Sequence, residues 1–542
     1  MALLQFPSQP ACQPSVLAML RFLVSLLIIS ACVSLQAETV TEAIDRHISA
    51  RWAKQQITPT DTVDDASFAR RIHLSLIGRP PFVSELDTFL ADGRAGKREY
   101  LVQHLLSSDA YAVHMAQIFD SVLMGRRGAG EYKKRKDQGW LTYLQRQFKE
   151  NVSWETTAQE ILLARPTTAS RKGSTWFLFE RKDEHQVIAE AIAPAFFGIR
   201  IECAQCHDHP LVDEIKQAHY WGLTAFFNRG KNQNTKQGPQ IQESAIGGFS
   251  DFSDLIGNTQ PNELVFFKAD KVDEARPKKD DKPEDKAELY RDSEIEGLPR
   301  VPLFSRRAAF VDQVLTGHPL LATAMVNKLW AIMLGRGLVD PVDEIDSLHP
   351  PSHPQLLEYL SQQFRDSNYD VKALIKAIAL STPYQLSSNQ PAEIYDPATF
   401  AWFQPQSLTA EVMVQSLNSV VRHIPNNELG VLNQFRRHFP EVLQSKTNTG
   451  LDDAMFLSNN AEFNQFLTES NAPEHLVPSM LKLDSNEKRI SLLFRSAFSR
   501  LPDADELTEI NSYLNQRQDN LTAALHQVVW AVVTSAEFRF NH

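Results

Sequence analysis

Cys203-Ala204-Gln205-Cys206-His207-Asp208-His209 gathers two thiols, two imidazoles and a carboxylate into one short stretch. The Cys-x-x-Cys-His order is the attachment pattern of c-type haem. Two cysteines three residues apart lie about one helical turn apart, so both sulfurs can face one edge of a porphyrin and form thioethers with its vinyl groups. His207 then falls beneath the iron as an axial ligand. Two other chemistries stay open. Cys203, Cys206, His207 and His209 offer four zinc donors, although adjacent Cys206 and His207 depart from the usual spacing of structural zinc sites. Cys203 and Cys206 could also close a disulfide, but no βαβ pattern of a thioredoxin-like protein surrounds them. Asp208 and His209 read either as groups that orient the ligand or the propionates, or as a plain Asp-His-Pro turn.

The compartment bears on this choice. Arg21 precedes the apolar run from Phe22 to Ala31, which is too short for a comfortable membrane span. We read 1–37 as a signal segment, with Met19 a plausible start. Ile29-Ser30-Ala31-Cys32 resembles a bacterial lipobox that would acylate Cys32. Leu35-Gln36-Ala37 offers an ordinary cleavage before Glu38, and an uncleaved signal anchor is the remaining reading. The expected location is therefore exported: periplasmic, or outer-membrane-anchored in a Gram-negative bacterium, with membrane contact only through a lipid on Cys32. The cysteines are Cys12, Cys32, Cys203 and Cys206. Once the leader is processed, the pair in the motif holds the only free thiols, so the chain is not a disulfide scaffold.

A chain of 542 residues, 43% hydrophobic and 22% charged, is ordinary globular protein with room for several domains. Its formal charge of −11 and lack of a dense basic tract argue against nucleic-acid binding.

The elements that must position the motif are helices. Apolar residues recur at helical spacing over 40–53 and in 64–77, closed by Gly78-Arg79-Pro80-Pro81, and helices continue from a Ser84 cap through 163. His185 to Phe197 leads into the motif, with Pro194 inside and Gly198 ending it. Aromatics on both sides, Phe196-Phe197 before and Tyr220-Trp221 with Phe226-Phe227 after, would suit a wall around a flat cofactor; ordinary core packing accounts for them better. Gln240–Glu243 and Leu264–Phe267 are the best strand candidates, and 268–300 is a charged, exposed run. A second helical block follows: 306–315, 321–334 closed by Gly335-Arg336-Gly337, 353–364 capped by Ser352, 371–380 capped by Asp370, then 409–421, 454–467, 490–498, 503–514 and 521–538. The fold expected is mainly α: a signal segment 1–37, a helical domain 40–230, an irregular, partly β, charged linker 231–304, and a C-terminal helical domain 305–542.

Three stretches resemble one family. Arg70-Arg71-Ile72-His73-Leu74-Ser75-Leu76-Ile77-Gly78-Arg79-Pro80-Pro81 is similar to its N-terminal signature, and Phe196 to Pro210 to its cytochrome-like segment. Met325-Val326-Asn327-Lys328-Leu329-Trp330 with Gly335 to Asp343 resembles the most recognisable run of its second domain. The family is the planctomycete-type secreted cytochrome-like proteins with two paired domains of unknown function. The resemblance implies a secreted, mostly helical protein with covalent haem c at Cys203, Cys206 and His207, and no settled activity. Members are often encoded beside sulfatase-like proteins, which implies an exported sulfatase-like neighbour or a redox partner. Ser75 and His219 stand where the family pattern has Asp.

Electron transfer or haem-dependent redox chemistry is the expected function. A non-haem accessory protein or hydrolase of polysaccharide or sulfated-glycan degradation is the alternative. For a sixth iron ligand, His185, Met325 and Met333 are the candidates. Asp340, Asp343, Glu344 and Asp346 could hold a cation or act as an acid–base pair, but a solvated acidic loop is the simpler reading. Arg336 could grip a carboxylate or sulfate, or cap helix carbonyls.

Overall fold

The computed structural model describes residues 38–126, 129–278, 280–293, 295–393, 396–422, 428–443, 451–468 and 472–542. The expected signal segment 1–37, with Cys12 and Cys32, lies outside them. The fold is mainly α, with 58% of residues helical and only small two-stranded sheets.

In chain order the first block is α1 (Val40–Gln55), α2 (Asp65–Ile77), α3 (Val83–Ala91), α4 (Lys97–Ser107), α5 (Asp109–Met124), α6 (Ala129–Asp137), α7 (Trp140–Lys149), α8 (Trp154–Leu163), α9 (Trp176–Phe179), α10 (His185–Ile192) and α11 (Gln217–Phe227). Hairpins follow: β1 (Gly230–Thr235) with β2 (Gly238–Glu243), β3 (Asp251–Ser253) with β4 (Thr259–Pro261), and β5 (Tyr290–Arg291) with β6 (Val301–Pro302). The second block opens with α12 (Arg306–Phe310), α13 (Pro319–Leu334), α14 (Pro354–Asp366), α15 (Val371–Leu380) and α16 (Thr382–Gln385). After β7 (Gln406–Ser407) come α17 (Ala410–Val421), α18 (Glu428–His438), α19 (Leu451–Asn459), α20 (Ala461–Thr468), α21 (Leu476–Leu481), α22 (Asn486–Phe498), α23 (Ala504–Asn515), α24 (Leu521–Val533) and α25 (Ala536–Arg539). Strand β8 (Phe540–Asn541) returns to pair with β7. Among the described residues no helix is long and apolar enough to cross a membrane.

Local chemistry sets most helix ends. Asp64, Ser108, Asp370 and Asp503 accept from the first-turn amides of α2, α5, α15 and α23. Gly78 and Gly335 end α2 and α13 in the left-handed region. Two expected caps are corrected. Helix α3 begins at Val83, and Glu85 rather than Ser84 receives the Phe82 amide at 2.7 Å. Helix α14 begins after His353, not Ser352. The expected helix over 454–467 is two, because Asn460 interrupts it and caps α20 through the Phe463 amide.

One buried core runs through both blocks. Helix α1 packs on α14 and α15, and Trp52 donates to the Thr399 carbonyl at 2.8 Å. The segment after β2 is more than a passive connection. Buried Glu243 receives Arg307 (3.3 Å), Arg165 and the Ser305 hydroxyl (2.7 Å). Glu274 joins Arg229 and Arg306 at 2.7 and 2.6 Å. Of the expected strand 264–267, only Leu264 makes a bridge, to Val272, while Phe266 and Phe267 turn into the core. The charge of the run hides these anchors, because burial there depends on arginines from other segments.

Arg135 lies buried between Asp120 (3.2 Å) and Glu180 (2.7 Å). Arg135→Ala would leave two buried carboxylates without their cation. We expect a loss of about 3–5 kcal/mol in urea unfolding, against little change for an exposed pair such as Lys133–Asp137. Burial also pushes His73, His114, His318 and His353 down to about 4 from the usual 6.5. Between those values the unfolded chain takes up protons that the native chain does not, so acidification from pH 6.5 to 4 should progressively lower the Tm. A flat Tm across that interval would contradict the burial of these imidazoles.

Candidate functional site

The motif hangs from a widened turn. Helix α10 ends at Ile192 and runs into a π-helical turn, Ala193–Phe197, containing Pro194. The amides of Gly198 and Ile199 both donate to the Ala193 carbonyl. The Pro194 carbonyl is thereby left to another donor, Lys328 Nζ of α13, at 2.8 Å. Gly198 sits at φ +64°, where a Cβ would meet Ile345 Cδ1 at 2.7 Å and Ala324 Cβ at 3.1 Å. Its carbonyl accepts from the Ile345 amide at 2.8 Å. A glycine is required here by both conformation and space, and through it the second block fixes the approach to the motif.

Cys203 lies in a 3₁₀ turn, Glu202–Gln205, and Cys206 follows it. In a 3₁₀ turn residues three apart eclipse one another, so the two cysteines share a face. Both thiols are free and exposed. His207 Nδ1 lies 2.6 Å from the Asp208 carbonyl oxygen, which only a protonated Nδ1 can satisfy as donor. That tautomer leaves the lone pair on Nε2. Asp208 and His209 hold the backbone of the turn. Asp208 Oδ1 accepts from the Gln217 amide at 2.9 Å at the start of α11, and Oδ2 lies 3.3 Å from Lys216. His209 Nδ1 accepts from the amides of Leu211 and Val212 at 3.3 and 2.9 Å. Gln217 Nε2 donates to both Gln205 and Ser253 carbonyls, and Trp221 Nε1 to Gln205, tying the motif to α11 and the β3–β4 hairpin.

Among the described residues no three His, Cys, Asp or Glu side chains are placed to hold a metal ion. The four donors of the zinc reading thus do not form a preassembled site; His209 is turned onto the backbone of its own loop. The flanking aromatics are core. Phe196, Phe197, Phe226 and Phe227 are buried, and Phe197, Phe226 and Phe227 all pack on Phe310. Trp221 alone is half-exposed, stacked on Phe252. The sixth-ligand candidates are occupied elsewhere: His185 Nε2 pairs with the Gly230 carbonyl at 2.9 Å, and Met325 and Met333 lie in the core.

The two departures from the family pattern have local roles. Ser75 Oγ accepts from Tyr384 Oη at 2.9 Å and Asn541 Nδ2 at 3.0 Å. His219 Nδ1 accepts from the Lys216 amide at 3.1 Å, a cap that an Asp could equally supply.

The acidic loop stays partly exposed with its carboxylates in ion pairs, and among the described residues no three of its acids are placed to hold a cation. Asp340 pairs with Arg336 at 2.9 Å and Asp343 with Arg200 at 2.8 Å. Glu344 lies between Arg200 (3.6 Å) and His349 (3.2 Å). Asp346 Oδ1 accepts from the Leu348 and His349 amides. Asn327 grips this loop through Val339 N and the carbonyls of Val339 and Val342. The loop, α13, the π turn and α5 enclose a cleft of about 930 Å³ containing Lys328. The sequence reading passed over Lys328. Its signal was a Lys within a helix apolar on nearly every side, where a lysine has no exposed face to occupy.

Residues 43–232 match the family model PSCyt2, described as a protein of unknown function (DUF1549). Residues 306–430 match PSD1, described as a protein of unknown function (DUF1553). No curated protein matches the chain, and no solved structure does. The chain is thus similar to two domains of unknown function, one matched over the stretch that holds the Cys-x-x-Cys-His turn and the other over the stretch that holds the loop bracing it.

Proposed function

We propose that the protein is exported and carries a c-type haem on Cys203 and Cys206, with His207 as iron ligand, and that it works in electron transfer or haem-dependent redox chemistry. The observation that carries this reading is the pair of exposed thiols on one face of a short turn, followed by an imidazole whose Nδ1 is held by the Asp208 carbonyl. A ligand histidine needs that state, with one nitrogen engaged by an acceptor and the other carrying the lone pair. Exposed apolar side chains beside the motif support it further. Leu211 follows His209, and Leu255 and Ile256 lie at the tip of the β3–β4 hairpin. Apolar surface of this kind, next to reactive thiols, suits an apolar cofactor.

Bound there, the haem would supply one-electron chemistry at its iron. The protein's own groups fix the attachment: Gln217 and Trp221 anchor the Gln205 carbonyl between the thiols, and Asp208 and His209 stiffen the turn that carries the imidazole. In that role it would work with a redox partner or an exported sulfatase-like neighbour.

The test is expression of the full chain in a host with haem-maturation machinery. A Soret band that survives acid–acetone extraction is expected, and it should be lost in Cys203→Ser/Cys206→Ser. A colourless wild-type product would overturn the reading. His207→Ala should retain covalent pigment but change the ligand-sensitive spectrum, which separates attachment from ligation.

A further inference from the structure

Lys328 is 3% exposed and lies on the wall of the cleft between the two matched stretches. Its recorded hydrogen bond is to the Pro194 carbonyl, and among the described residues no carboxylate is within ion-pair distance of it. The acids of the facing loop are already matched: Asp340 by Arg336, Asp343 by Arg200, and Glu344 by Arg200 and His349. The other titratable groups lining the cleft are Arg181, Glu441 and His114. Burial lowers Lys328 to about 8, with Asp343 the opposing influence. Polar capacity on the same walls is unspent as well, since Ser121 Oγ, Ser407 Oγ and Arg336 Nε have no hydrogen-bond partner among the described residues.

We infer that this cleft binds a small hydroxylated oxyanion, a carboxylate or a sulfate ester, whose charged group meets Lys328 Nζ. A buried ammonium facing only an amide carbonyl is costly, and an anion entering the cleft supplies the missing counter-charge. Arg336 and Arg200 offset two of the loop's three paired carboxylates, which limits their repulsion of an anion. The volume suits a small organic molecule rather than a bare ion. The walls favour hydroxyl groups over a flat apolar ring: Ser75, Gln404, Gln406, Ser407 and Thr409 line the cleft, and among the described residues no Phe, Tyr or Trp side chain does. The site is built from α13, the π turn and the loop that Asn327 holds. It does not depend on what the thiols carry.

Calorimetric titration of the full chain with gluconate, glucose 6-sulfate and neutral glucose tests this. At least one anion should bind, at least tenfold more tightly than glucose. Gluconate alone would identify a carboxylate ligand, and glucose 6-sulfate alone a sulfate ester. Lys328→Met should weaken that binding tenfold or more. Affinity should fall as pH rises past about 8, where Lys328 loses its proton. Because a buried substitution can impair folding, a second measurement uses the wild-type chain: the binding anion should slow acetylation of Lys328, read by mass spectrometry. Binding of neither anion, equal binding of glucose, undiminished binding by Lys328→Met, or unprotected Lys328 would overturn the inference.

Discussion

Two buried arginines of α2 hold the ends of this protein together. Arg71 donates to the carbonyls of Tyr384 and Leu386 and to that of His542 at 3.4 Å, and its guanidinium stacks 3.7 Å from the Phe403 ring. Arg70 reaches the carbonyls of Phe540, Glu537 and Ala497. A guanidinium presents five donors in a fixed fork, so burying one demands several acceptors at set positions. Here the acceptors are backbone groups from beyond residue 380 and from the chain end. Burial lowers both arginines to about 10, which marks how far they are removed from water. Helix α2 therefore packs against residues 537–542 as well as against α4 and α5, and among those residues strand β8 pairs with β7.

This constraint gives the Arg-Arg-Ile-His run a structural meaning. Its arginines serve the joint between blocks. Its Gly78 lets α2 end against α5 and α17, where a Cβ would meet Gln415 Oε1 at 2.5 Å and His114 Nδ1 at 2.7 Å. With that joint made, α5 and α13 stand opposite one another. The cleft between them and the motif beside it share the π turn, whose Pro194 carbonyl serves Lys328 and whose Gly198 leads to Cys203. Thiols and lysine are thus built on the two ends of one irregular segment. Such wide turns recur at functional sites because they release a carbonyl from the helix ladder.

Much of the candidate site was legible in the chain alone. Spacing placed Cys203 and Cys206 on one face, and among the described residues they are the only cysteines. Helical periodicity and capping chemistry located most helices, and the failures at Ser84 and Ser352 were a matter of which nearby group won the first-turn amides. Asp208 and His209 accept from backbone amides, of Gln217 at the start of α11 and of Leu211 and Val212, which is the turn-holding role among their two readings.

What the sequence by itself determined is whatever neighbours within a few residues decide: helix periods, caps at Asp64 and Asp370, the glycine stops, and the order of thiols and imidazole. Only the tertiary structure decided where polar groups are buried and what they meet. Glu274 sits in the 268–300 run, whose composition reads as solvated, and Arg229 and Arg306 from other segments close on it, as Arg165 and Arg307 do on Glu243 at the end of β2. Asp340, Asp343 and Glu344 read as an exposed acidic loop and stay partly exposed; what the tertiary structure adds is Arg200, which reaches Asp343 and Glu344 from the first block. Lys328 reads as one more helix residue until α13 is seen enclosed. Burial and ion pairing are properties of contacts made across the whole chain, and no local pattern encodes which distant partner will arrive.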